Sequence, residues 1–230
     1  MIGKKSVLAV IPARSGSKRL KDKNILKLKG KPMISWSIDA ALKSKYIDSI
    51  IVSSDSNKIL NISDRYGVHT IKRPDYLAND TSTTFSTMKH AIENIKESYD
   101  FVILLQATSP LRTQKHIDKA FELLKKHDAD AIISVTEMSH SPFWANRLPK
   151  NGSLVGFLDK KFINMRSQDL PVFHCLNGAI YICSIDRLLE EKTFFIKDNI
   201  FAYEMDKKSS VDIDDKVDFK IAEILLDEEN

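Results

Sequence analysis

Cysteine is scarce: Cys175 and Cys183 are the two in 230 residues. Two thiols make no disulfide scaffold, and their spacing matches no metal-ligand motif. Cys183 falls in an apolar strand pattern and reads as a buried thiol. Long apolar runs are also missing. No stretch approaches the roughly 18 consecutive apolar residues of a membrane span. No apolar segment with a small-residue cleavage site follows Met1. The expected location is therefore cytoplasmic, with no membrane partner. Charge shows little surplus of one sign, since 35 Lys+Arg against 31 Asp+Glu leaves +4. Aromatic residues, 8% of the chain, are not interleaved with basic ones as a base-stacking groove requires. Both observations argue against nucleic acid as a partner. A Walker A loop, a Gly-x-Gly-x-x-Gly fingerprint and a Gly-x-Ser-x-Gly elbow are all absent.

What the chain does contain is an unbroken apolar run, Val7 to Ile11, which reads as a strand buried on both faces. Pro12 stops its ladder. Arg14, Ser15, Gly16, Ser17, Lys18, Arg19, Lys21 and Lys23 follow. Small residues and cations at the carboxyl end of a buried strand suit a polyphosphate. The alternative is a solvated basic turn.

The chain then alternates. Helix begins at Lys31-Pro32 with the stripe Ile34, Ile38, Ala41 and Leu42. Strands are expected at 48–54, 68–71, 100–106 and 129–135, and helices at 57–66, after 79–84 and around Ile117 to Leu124. This order predicts an α/β fold, a mostly parallel sheet with helices on both faces. Ligands of such sheets sit beyond the strand carboxyl ends, where the opening loop, Arg73 and the Gln106 to Arg112 cluster all fall. From 138 to 175 the rhythm breaks into an excursion carrying Phe143, Trp144, Phe157 and Phe162, read as a lid or dimer contact within a single domain over 1–230. A strand returns at 179–183, and a last helix is expected after Asp214 with Val217, Ile221 and Leu225 inward.

Ser210-Val-Asp-Ile-Asp214 is the second chemical motif. In extended chain Asp212 and Asp214 share one face and Val211 and Ile213 the other. Two carboxylates so placed suit Mg²⁺; the competing role is capping of the last helix by Asp214 or Asp215. Asn177-Gly178 reads equally as a turn, and Gln106, Thr108, Ser109 and Arg112 as backbone satisfaction at a strand end.

Taken together, Ile11-Pro-Ala-Arg-x-Gly-Ser-Lys18, Lys23-Asn24, Gly30-Lys-Pro32, Leu105-Gln-x-Thr-Ser-Pro-Leu-Arg112, Gln168-Asp-Leu-Pro171, Asn177-Gly-Ala-Ile-Tyr181 and Asp212-Ile-Asp214 resemble the acylneuraminate cytidylyltransferases, in order, over nearly the whole chain. The resemblance implies a three-layer Rossmann-like nucleotidyltransferase that joins CMP from CTP to a nine-carbon 2-keto sugar acid, with Mg²⁺ and pyrophosphate release. It implies that Arg14, Ser17, Lys23 and Asn24 hold triphosphate and ribose, and that Arg73, Ser82 and Thr84 lie near the cytosine. Asp212 and Asp214 would bind Mg²⁺, with Arg14, Lys23 and Asp212 carrying catalysis. Gln106, Thr108, Ser109, Arg166, Gln168, Asn177, Tyr181, Phe194 and Phe195 would face the sugar acid, and residues 138–175 would form a homodimer contact.

Departures fall on the sugar side. Ala107 replaces a usual proline, Ser167 a second arginine, and Trp144 lies about where a lysine can stand. Ser141-Pro-Phe-Trp144 and Arg166 to Pro171 look closer to enzymes for di-N-acetylated sugars such as legionaminic acid. The neighbouring alternative is the cytidylyltransferase for 3-deoxy-manno-octulosonate; another class is a non-catalytic nucleotide-binding regulator.

Overall fold

The computed structural model describes residues 5–227. Seven strands make one sheet: β1 (Val7–Pro12), β2 (Ser49–Ser54), β3 (His69–Lys72), β4 (Phe101–Leu104), β5 (Ala131–Glu137), β6 (His174–Ser184) and β7 (Ile200–Glu204). Their spatial order is β3-β2-β1-β4-β6-β5-β7. The pairs β2–β3, β1–β2, β1–β4 and β5–β7 are parallel, whereas β6 runs antiparallel between β4 and β5. The parallel run is as expected, and β6 is a reversed strand wedged into it. A parallel partner for β4 needs a crossover of a dozen or more residues that ends at the correct sheet edge. The excursion instead returns the chain at the opposite end.

Successive side chains of each strand feed two layers. Val7, Ala9 and Ile11 pack with Ile34 and Ile38 of α1 (Met33–Leu42) and with Ile117 and Phe121 of α4 (Gln114–His127). Leu8 and Val10 pack on the other face with Met88 of α3 (Thr84–Glu93) and Leu188 of α5 (Ile185–Glu191). The remaining helix of the first layer is α2 (Asn57–Asp64). Thr83 caps α3 by accepting from the Ser86 N–H, so one residue of the polar run 79–84 does what its composition suggests. Leu42, expected inward, is half exposed.

A third cluster lies beneath the opening loop. Leu20, Leu28, Met33, Leu111 and Ile213 pack against Ala222 and Leu226 of α6 (Lys216–Asp227). This corrects the inward face of α6: Val217 and Ile221 are exposed, and Leu225 is partly buried. Two apolar lines run along this helix, and the loop-side cluster selects the one through Phe219, Ala222 and Leu226. The excursion has its own aromatic centre, with Phe143 stacked on Phe162 at 4.0 Å and edge-on to Phe173 at 4.9 Å.

Candidate active site

The loop after β1 is strapped to the sheet before any ligand is considered. The Ala13 N–H donates to the Ser53 carbonyl at 3.0 Å. Ser15 donates its N–H and hydroxyl to Asp55 at 2.9 and 2.5 Å. Asn24 donates to the Arg14 carbonyl at 2.9 Å. Partial burial pushes the Asp55 carboxyl upward, but the two Ser15 bonds outweigh it and hold the group below its ordinary value. Asp22, in the left-handed region at φ 55°, opens the turn Lys23–Ile25. That turn sends Lys23 inward, its side chain 11% exposed. Its Nζ donates to the Ile213 carbonyl at 2.6 Å and to Asp214 Oδ1 at 3.2 Å. Arg19 reaches Asp214 at 2.7 Å, and Arg14 reaches Asp80 at 2.8 Å.

Two cavities adjoin here, of about 510 and 280 Å³, and share Thr83, Thr84, Leu104 and Gln106. Arg14, Ser17, Lys23, Asn24, Arg73, Ser82 and Thr84, all read from the sequence as nucleotide residues, line the larger one. Thr108 and Asp214 line it too. Arg73 is buried at its base and donates to the Ser53 carbonyl at 2.8 Å. Burial lowers its pKa, which the nearby Asp55 charge partly offsets. Gln106, Tyr181, Phe194 and Phe195 line the smaller cavity.

Ile213 is fully buried in the third cluster, so Asp212 and Asp214 turn outward as strand alternation predicts. Asp215 takes the capping role, accepting from the Val217 and Asp218 N–H groups, which leaves Asp214 to the cations. Desolvation raises the Asp212 carboxyl above its usual range; the Thr108 hydroxyl opposes this, and the Asp214 charge adds to it. An under-compensated carboxylate beside a second one fits a divalent cation. Mg²⁺ is typically bound by one or two carboxylates plus substrate phosphates. The described residues contain no group of three or more His, Cys, Asp or Glu side chains able to hold a metal ion.

Four sequence-based sugar contacts lie elsewhere. Ser109 is fully buried and lines neither cavity; the strand-end turn aims its neighbour Thr108 at the cleft instead. Asn177 is buried too, accepting from the Ser134 hydroxyl at 2.6 Å and donating to the Ser210 hydroxyl at 3.0 Å. It therefore holds the segment leading to Asp212 rather than facing a ligand. Arg166 pairs with Asp169 on the excursion, and neither Arg166 nor Gln168 lines either of these two cavities. Sequence reasoning assigned no site role to Asp80, Lys192 and Thr193, which line the cavities. Asp80 lay within the run 79–84, in which only Ser82 and Thr84 were given a role near the nucleotide.

A cation-lined cleft beyond the carboxyl ends of a largely parallel sheet is where open α/β proteins hold their ligands. The chain belongs to the cytidylyltransferase family, whose sequence profile matches residues 8–223. It is 38% identical to an N-acylneuraminate cytidylyltransferase of Escherichia coli O18:K1:H7, over 97% of this chain and 53% of that protein. It thus spans about half the length of that relative. It is 34% identical to the CMP-N,N'-diacetyllegionaminic acid synthase of Legionella pneumophila, over 96% of each chain. Among solved structures, CMP:2-keto-3-deoxy-manno-octonic acid synthetase complexed with CTP superposes with a TM-score of 0.74 at 17% identity, covering 98% of this chain and 100% of that one. The fold is that of the Rossmann-like nucleotidyltransferases. Among the described residues no helix is long and apolar enough to cross a membrane.

Proposed function

We propose that this chain transfers CMP from CTP to the anomeric C2 hydroxyl of a nine-carbon 2-keto sugar acid and releases pyrophosphate. One observation carries the reading: a cation-lined cavity and an aromatic-walled cavity meet at Gln106. The first suits a triphosphate and the second a sugar ring with acyl groups. The relatives named for N-acylneuraminate and for N,N'-diacetyllegionaminic acid support the same sugar class. The likeness to the eight-carbon acid enzyme, at 17% identity, extends to the fold alone.

The C2 hydroxyl attacks the α-phosphorus in line as the bond to the β-phosphate breaks. Arg14 and Lys23 neutralise charge that moves onto the departing pyrophosphate. Gln106 fixes the two substrates relative to each other. Asp212 and Asp214 would hold Mg²⁺, which neutralises phosphate charge and favours ionisation of the attacking hydroxyl. The exposed apolar residues Leu148, Leu154 and Val155 on the excursion fit a homodimer contact. An exposed free thiol, Cys175, suits a reducing cytoplasm.

The test is pyrophosphate release from CTP and Mg²⁺ with a panel of N-acylneuraminic, legionaminic, pseudaminic and 3-deoxy-octulosonic acids. Release with a nine-carbon acid is expected. Release with the octulosonic acid alone would replace the substrate assignment. CTP binding without release from any acid would favour a nucleotide-binding regulator.

A further inference from the structure

Four cations of the loop after β1 line the nucleotide cavity, and each meets a carboxylate. Arg19 and Lys23 share Asp214, one of the two proposed metal carboxylates. Arg14 and Lys18 share Asp80, at 2.8 and 2.5 Å. Asp80, in the turn before α3, lines the same cavity as Arg14 and Lys18, so these pairs lie among the groups a nucleotide there would contact. A triphosphate needs the same N–H groups, and a phosphate beside these cations would repel the Asp80 carboxylate.

We propose that Asp80 is the resident counter-anion of the phosphate site, holding Arg14 and Lys18 until a triphosphate displaces it, and thereby setting nucleotide affinity. The inference rests on the cavity taking CTP. Displacement is easy on two grounds. The side chains of Arg14, Lys18 and Asp80 are 39, 80 and 49% exposed, and exposed pairs hold weakly. The turn carrying Asp80 is also fixed without its carboxylate. Asn79 Oδ1 accepts from the Thr81 N–H and from the Thr81 and Ser82 hydroxyls, and Ser82 also donates to the Tyr76 carbonyl. Asp80 can therefore turn to solvent while Ser82 and Thr84 keep their places.

The experiment is calorimetric titration of CTP with Mg²⁺, and of pyrophosphate, into wild type, Asp80→Asn and Asp80→Glu at several chloride concentrations. Asp80→Asn is expected to bind both ligands about three- to tenfold more tightly, the scale of two exposed pairs no longer competing. Its CTP affinity should also fall more steeply with chloride, because solution anions replace the internal one. Asp80→Glu, which keeps the charge, should stay near wild type. Asp80→Asn that binds CTP equally or more weakly, with an unchanged unfolding midpoint, would overturn the inference and leave the nucleotide reading intact. Wild type that binds no CTP would overturn both.

Discussion

Lys23 joins the two chemical motifs of this chain: its ammonium lies 2.6 Å from the Ile213 carbonyl and 3.2 Å from Asp214. A single side chain thus ties the opening loop to the late aspartates, and a positional change in either is felt by the other. Lys23→Ala is expected to lower the rate of pyrophosphate release about a hundredfold or more, the scale of losing one charge-stabilising group. Asp212→Asn should do the same while raising the Mg²⁺ concentration needed for half-maximal rate. A variant with near wild-type turnover would remove that residue from the mechanism. Asp55 holds the loop directly, through the two hydrogen bonds it accepts from Ser15. Because its folded carboxyl titrates below the ordinary 3.8, its contribution to folding is complete above that value and is lost as pH falls through the lower folded one. The stability gap between wild type and Asp55→Asn, read from denaturant midpoints, should be full at pH 7 and narrow only below 3.8. A gap that shrinks near neutrality would contradict the assignment.

At the scale of elements, β1 and its loop were legible because everything needed lies within 18 consecutive positions, Val7 to Asn24. Apolar content marked the strand, and cation density marked its carboxyl end. The direction of β6 was not legible, since alternation along a strand is the same whichever way it runs. The buried face of α6 was ambiguous for a related reason: both of its apolar lines have helical spacing, and only the loop packed against it decides between them. Asp80 escaped notice because its partners Arg14 and Lys18 are more than 60 residues away in sequence. Ser109 and Thr108 differ in exposure through the twist of one turn. Within β6, Gly178 carries a constraint that composition marks only as a turn. Its φ is +73°, and an added Cβ would stand 3.4 Å from Gln106 Nε2. Gly178→Ala is expected to cost about 1 kcal/mol through its left-handed backbone, with KM for the sugar acid near that of wild type because 3.4 Å is an ordinary contact with Gln106. Thermal unfolding and steady-state kinetics check the two expectations separately.

For the molecule as a whole, the excursion presents Leu148, Leu154 and Val155 to solvent, Val155 at 95% exposure. If two copies meet there, Val155→Asp should convert a dimer to a monomer in sedimentation velocity, with little change in the unfolding of the sheet. A wild type that sediments as a monomer would remove the contact. The reversed strand has a bearing on synthesis as well. β4 has every residue buried, and its outer neighbour is β6, which begins about 70 positions later in the chain. Until the ribosome has delivered His174–Ser184, the nascent protein carries an open, wholly apolar edge with unpaired amide and carbonyl groups. A stalled or prematurely ended translation product would therefore be a target for chaperones and for self-association, whereas the finished chain seals that seam with a strand of its own.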